Sequence, residues 1–214
     1  MKEAFPPIRT ILVPDRLEFD RCVKEILRIG IDVLSNPWVV AAPQRTDLVV
    51  LSPLAWDPGT WCYSPETYGR LLLHEATHIF EEYLSPNVEA APMWWSEGLG
   101  AYLSNQWTED KDRLRVMEGI QNKTISTLAD MEAARKLSDA ATKLCFVWGW
   151  TLVMFIDQRH GKRMIGRIVR ECADGDVFRV LGMSRESLEK EWKEWLPSLY
   201  NAFPPFPRPI RGRS

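Results

Sequence analysis

Residues 71–80 read Leu-Leu-Leu-His-Glu-Ala-Thr-His-Ile-Phe, with two histidines four positions apart and a glutamate directly after the first. A helix puts side chains at i and i+4 on one face, a turn apart, so this spacing commits the segment to a helix if the pair acts together. His74 and His78 can then reach one metal ion. Glu75 projects beside that face, where it can take a proton from water that the metal activates. Two neutral nitrogen ligands and an adjacent acid that need not be a ligand are the parts a zinc hydrolase uses. The chain has only three histidines, and two of them sit at this spacing.

The flanking residues agree with a helix. Ser64 followed by Pro65 is an N-cap with proline at the first helical position, and Ser85-Pro86 marks the end. Upstream, residues 8–13 form a β-branched run ending at Pro14. A helix opens after Asp15 and covers 17–34, with Phe19, Val23, Ile26, Leu27 and Ile31 as its apolar stripe. Residues 38–42 and 47–52 read as two strands separated by a Pro43-Gln44-Arg45 turn, and 53–63 as a loop. Everything after Ser64 reads as helical: Pro92 to Gln106, 109–118, 128–137, 139–160 with Gly161 as the stop, 162–173 and 184–200. A strand-bearing N-terminal third followed by helices predicts an α+β fold, with a small mixed sheet and a mainly helical body. One domain over residues 1–200 is expected, with a proline-rich basic tail at 201–214.

Two histidines leave a catalytic zinc one protein ligand short. A third histidine in a His-x-x-x-x-x-His extension is absent, because position 84 is Leu84, and no cysteine is near. The next predicted helix carries Trp94-Trp95-Ser96-Glu97-Gly98-Leu99-Gly100-Ala101-Tyr102. Residues 79–96, eighteen in all, separate His78 from Glu97. Two antiparallel helices joined by a loop bring Glu97 back to the open side of the first.

On these residues the chain resembles the gluzincin metallopeptidases, the thermolysin-like group, and most closely their aminopeptidase N-like branch. That branch has the same His-Glu-x-x-His helix, the same eighteen-residue interval and a "W-x-x-E-G-x-A-x-Y" helix. The stretch 146–156 also looks like the branch's downstream "Y-x-x-G-x-x-hydrophobic" helix. The resemblance covers about residues 46–200. It implies a zincin fold, one Zn²⁺ on His74, His78 and Glu97, Glu75 as general base, and a peptide or protein substrate.

Two departures qualify that expectation. With Gly149 setting the register, the tyrosine that opens the downstream helix in the branch is Phe146 here. Loss of one such oxyanion donor costs about 10²–10³ in kcat. Tyr102, Tyr63, Tyr68 and His160 are the substitutes to test. The branch's "G-x-M-E-N" segment, which holds a substrate amino terminus, has no match in 38–60, so endopeptidase action is expected rather than aminopeptidase action. Residues 47–52 fall where the cleft's edge strand would lie and could pair with a peptide backbone. The missing tyrosine keeps alive a catalytically impaired zincin-fold binding or assembly module, and a zinc hydrolase of non-peptide amides or esters is the other alternative.

Composition narrows the rest. A net charge of −2 argues against a general nucleic-acid binder. No stretch reaches the roughly 20 consecutive apolar residues of a membrane span. The start shows no secretory signal, and Cys22, Cys62, Cys145 and Cys172 form no C-x-x-C pair. Cys22, Cys145 and Cys172 read as buried free thiols, which favours a cytoplasmic location. Most of the ten tryptophans are expected in the core. Asp157 and His160 read as a surface pair at the end of a helix.

Overall fold

The computed structural model describes residues 5–29, 34, 36–85, 90–108, 110–134, 140–172 and 175–199. It is an α+β structure, mainly helical, with one small mixed sheet of strands β1 (Arg9–Val13), β2 (Ala41–Gln44) and β3 (Asp47–Leu51). The strand order is β1-β3-β2: β3 runs parallel to β1 and antiparallel to β2. Leu48, Val49, Val50 and Leu51 are all buried, as expected for a central strand covered on both faces. Arg9 and Asp47 are register partners, and the Arg9 guanidinium donates two hydrogen bonds to the Asp47 carboxylate, at 2.7 and 2.8 Å.

The sheet corrects two expectations. The turn is Arg45-Thr46, not Pro43-Gln44-Arg45, and β2 starts three residues later than the periodicity suggested. Pro43 fits in β2 because an edge strand tolerates a residue with no N–H, and Arg45 supplies the left-handed conformation (φ 55°) that a tight hairpin needs. Residues 47–52 are also not a free edge. β1 occupies the far side of β3, so the two outer edges of the sheet belong to β1 and β2. A hairpin pattern read along the chain cannot reveal that an earlier strand has crossed over to pair on the other side.

Helix α1 (Arg16–Cys22) is capped by Asp15, whose carboxylate accepts from the Glu18 N–H at 2.9 Å. It continues as a wider π-type turn (Val23–Leu27) and stops at Arg28, in the left-handed region with φ 60°. The expected helix to residue 34 is therefore shorter. Phe19, Val23 and Leu27 of its stripe are buried and Ile26 is exposed, while Ile31 lies outside the described residues. These side chains, the sheet and one face of helix α2 (Pro65–Leu84) make the first apolar core, with Trp56, Leu71 and Ile79 inside it.

The second core is the helical body: α3 (Met93–Leu103), α4 (Asp110–Gln121), α5 (Leu128–Glu132), α6 (Ala140–His160), α7 (Lys162–Glu171), α8 (Val177–Leu181) and α9 (Arg185–Trp195). Helix α8 was not anticipated, being too short to show a period. Gly182 ends it in the left-handed region, and the Ser184 side chain caps α9. Helix α6 is the axis of this body, with Trp148 through Ile156 buried without a break. By length and composition alone α6 is apolar enough to cross a membrane. Most of that stretch is packed into the core, against α3 above all. Trp192 donates its indole N–H to Thr151 Oγ1 at 3.0 Å inside this core. Trp56, Trp94, Trp95, Trp148, Trp150 and Trp192 are buried, in line with the expectation for tryptophan, whereas Trp38 is exposed. Cys22, Cys145 and Cys172 are buried free thiols as expected. The 201–214 tail, Tyr200 and the expected cap Asp139 lie outside the described residues.

Candidate metal centre

Helix α2 forms where the sequence signals put it. Ser64 Oγ accepts the Thr67 N–H at 3.0 Å and Pro65 takes the first helical position; a cap of this kind contributes about 1 kcal/mol. Twenty residues of unbroken helix then carry His74 and His78 on one face, with ring centroids 4.8 Å apart. Helix α3 starts at Met93 after Pro92 and returns alongside α2, bringing Glu97 to the same face. One ligand atom from each of His74, His78 and Glu97 lies within 4.8 Å of the others. Glu97 Oε2 is 3.2 Å from His74 Nε2 and 3.8 Å from His78 Nε2. The three residues named from the sequence are therefore brought together, and this group could hold a metal ion. Two imidazole nitrogens and one carboxylate oxygen are a donor set suited to zinc.

Both Nε2 atoms face the carboxylate because both Nδ1 atoms are held from behind. Gln106, in a short 3₁₀ turn (Gln106–Thr108) after α3, places Oε1 2.8 Å from His74 Nδ1. His78 Nδ1 is 3.4 Å from Glu81 Oε2 and 3.2 Å from Ser96 Oγ, and Ser96 Oγ donates to Glu81 Oε2 at 2.7 Å. None of Glu81, Ser96 or Gln106 was singled out in the sequence. Glu81 was within reach of such a reading, since it follows His78 by three on the same helix face. Gln106 was not, because it meets His74 across 32 residues of chain through helix packing.

The electrostatics follow from this enclosure. Burial pushes the Glu75 carboxyl above its usual range; His74 and His78 oppose the rise and Glu97 adds to it. Burial acts on Glu97 too, but the hydrogen bond with His74 and the charges of His78 and His74 outweigh it and hold that carboxyl below its usual range. For His78, burial alone would lower the imidazole. The bond to Glu81, followed by the charges of Glu97, Glu75 and Glu81, lifts it to about 9. A metal at this site has to displace that proton.

Gly100 makes room for the first ligand. A Cβ there would lie 2.8 Å from Cε1 and Nε2 of His74 and 2.9 Å from its Nδ1. Gly100→Ala is expected to leave a cooperatively folding chain, because an imidazole can rotate away. The rotation breaks the Gln106 contact and lowers metal affinity about 10–100-fold, the usual cost of losing a ligand's outer partner. Zinc titration of the two proteins checks this.

The four substitutes for the missing tyrosine have other engagements or positions. Tyr102 donates its hydroxyl to Asp157 of α6 at 2.8 Å, and burial, then Asp157, pushes its phenol up to about 12. Asp157 is therefore not half of a surface pair with His160, whose Nε2 is buried. Tyr63 and Tyr68 pack with Trp56 near the start of α2, each at a centroid distance of 6.2 Å. Phe146 is half-exposed on α6, one turn before the Gly149 that packs on α3.

Comparison of the chain with models of known protein families, with characterised proteins and with solved structures gives no significant match.

Proposed function

We propose that the chain is a zincin-type metallopeptidase, an endopeptidase that hydrolyses peptide bonds with one Zn²⁺ held by His74, His78 and Glu97. The observation that carries this reading is the convergence of the three ligand atoms within 4.8 Å, with each imidazole Nδ1 already held by another side chain. Zinc when bound supplies Lewis acidity, bringing a coordinated water toward a pKa of about 7 and polarising a carbonyl. The chain's own base is Glu75, next to His74 and raised by burial, which suits it to accept the proton of the attacking water. Glu75 then returns that proton to the leaving amine. The Gln106 and Glu81 contacts keep the two imidazoles turned toward Glu97 throughout, so the ligands need no rearrangement between steps.

The outer side of β2, the edge strand that packs against α2, is the edge proposed for a substrate backbone, since β3 is paired on both sides. A second reading is a catalytically impaired zincin-fold binding module. Phe146 stands where the active branch has its tyrosine, and Tyr102 is tied to Asp157, which favour that reading.

Metal analysis of the purified chain beside His78→Ala, with both samples assayed on a mixed peptide set, tests the proposal. Wild type is expected to hold one zinc per chain and to cleave. His78→Ala is expected to lose both properties, and chelation of the wild type to abolish cleavage until zinc is restored. A wild type that holds zinc and cleaves no peptide supports the binding module, and one that takes up no zinc ends both readings.

A further inference from the structure

We propose that Glu81 and Ser96 are positioning residues that clasp the two ligand-bearing helices together and fix the metal affinity of His78. The inference rests on the metal-site reading above and deepens it. Glu81 is only 2% exposed, yet it contributes no atom to the three-ligand group. A carboxylate buried this far is costly unless it is hydrogen-bonded, so its partners account for its presence. Those partners are Ser96 Oγ, which donates to Oε2 at 2.7 Å, and His78 Nδ1 at 3.4 Å.

The hydroxyl hydrogen of Ser96 is committed to Glu81, so the oxygen that lies 3.2 Å from His78 Nδ1 faces the ring as an acceptor. Two acceptors on one side of the imidazole hold its hydrogen on Nδ1. Once the second proton is displaced, the lone pair is left on Nε2, the atom on the Glu97 side. The same bond has a second effect. Ser96 directly precedes Glu97, so tying it to Glu81 pins the first turn of α3 to α2 and sets the third ligand relative to the first two. His74 is supported differently, by the neutral amide of Gln106 at 2.8 Å, from a short turn.

Zinc titration against a competing chromophoric chelator tests this on the full chain, for wild type, Glu81→Ala, Glu81→Gln and Ser96→Ala. Thermal unfolding of each metal-free protein shows whether it is folded. Glu81→Ala is expected to bind zinc about 10–100-fold more weakly, the range for lost outer partners of metal-binding histidines. Ser96→Ala is expected to lose less in the same direction, and Glu81→Gln, which keeps an oxygen acceptor, to recover part of the loss. In nitrogen-detected NMR of the zinc-loaded proteins, the His78 hydrogen sits on Nδ1 in wild type, and the resonance shifts or broadens in Glu81→Ala. A folded Glu81→Ala that binds zinc as tightly as wild type overturns the clasp. Should that variant not fold, wild-type affinity in both Glu81→Gln and Ser96→Ala overturns it equally. A wild type with no zinc affinity overturns the metal site itself, so the two failures are told apart.

Discussion

Glu75→Gln is expected to lower peptide hydrolysis by about 10²–10⁴-fold, the range for a general base, while zinc content and the unfolding temperature stay at wild-type values. The separation of effects is what makes this variant informative. Glu75 is not among the three converging ligand atoms, so a glutamine there removes no bond to the metal. Glutamine has the same shape as glutamate and fits the same half-buried position, but its amide cannot accept a proton at neutral pH. Burial, which raises the Glu75 carboxyl, disfavours its charge, so losing that charge is not expected to weaken the fold. Cleavage by Glu75→Gln at the wild-type rate and with full zinc would show that the proton goes elsewhere. Loss of zinc together with activity would make Glu75 part of the site's structure instead of its base.

What could be read along the chain, and what could not, divides by range. His74, Glu75 and His78 needed only helix periodicity and a cap at Ser64, both local properties. Glu97 needed one further step, an interval long enough for a loop and the return of a neighbouring helix. The outer partners needed the packed structure. Glu81 lies near the C-terminal end of α2, where a glutamate ordinarily faces solvent, and only the arrival of Ser96 on α3 makes it a buried acceptor. Gln106 depends on how a turn beyond α3 folds back over His74. The sheet shows the same division. β1 and β3 stand out by their β-branched runs, but the strand order does not, because the pairing of β1 with β3 joins residues 38 positions apart. Register at the hairpin was missed because Pro43 suggests a turn, whereas at a sheet edge it can remain within the strand.

A close approach of two helices ties this site to the core, and Gly98→Ala is expected to damage both. Gly98 of α3 and Gly149 of α6 face each other with no side chain between the backbones. A Cβ on Gly98 would sit 2.4 Å from the Gly149 carbonyl carbon and 2.5 Å from its oxygen; one on Gly149 would sit 2.5 Å from Trp94 O and 3.0 Å from Gly98 Cα. Backbone against backbone has no rotamer to yield, so the added methyl must push the helices apart. Overpacking of this kind costs about 1–3 kcal/mol or more, which for a chain of this size lowers the unfolding temperature by about 2–12 °C. Glu97 directly precedes Gly98, so the same displacement carries the third ligand away from His74 and His78, and zinc affinity falls with stability. Gly69→Ala is the control. Gly69 lies in α2 with nothing within 4 Å of an added Cβ, and there alanine is expected to be neutral or to stabilise by about 0.4–1 kcal/mol. Thermal unfolding and zinc titration of the two variants separate a general effect of alanine from the crossing itself. A Gly98→Ala chain that unfolds at the wild-type temperature and binds zinc as wild type does would contradict so close a packing of α3 on α6.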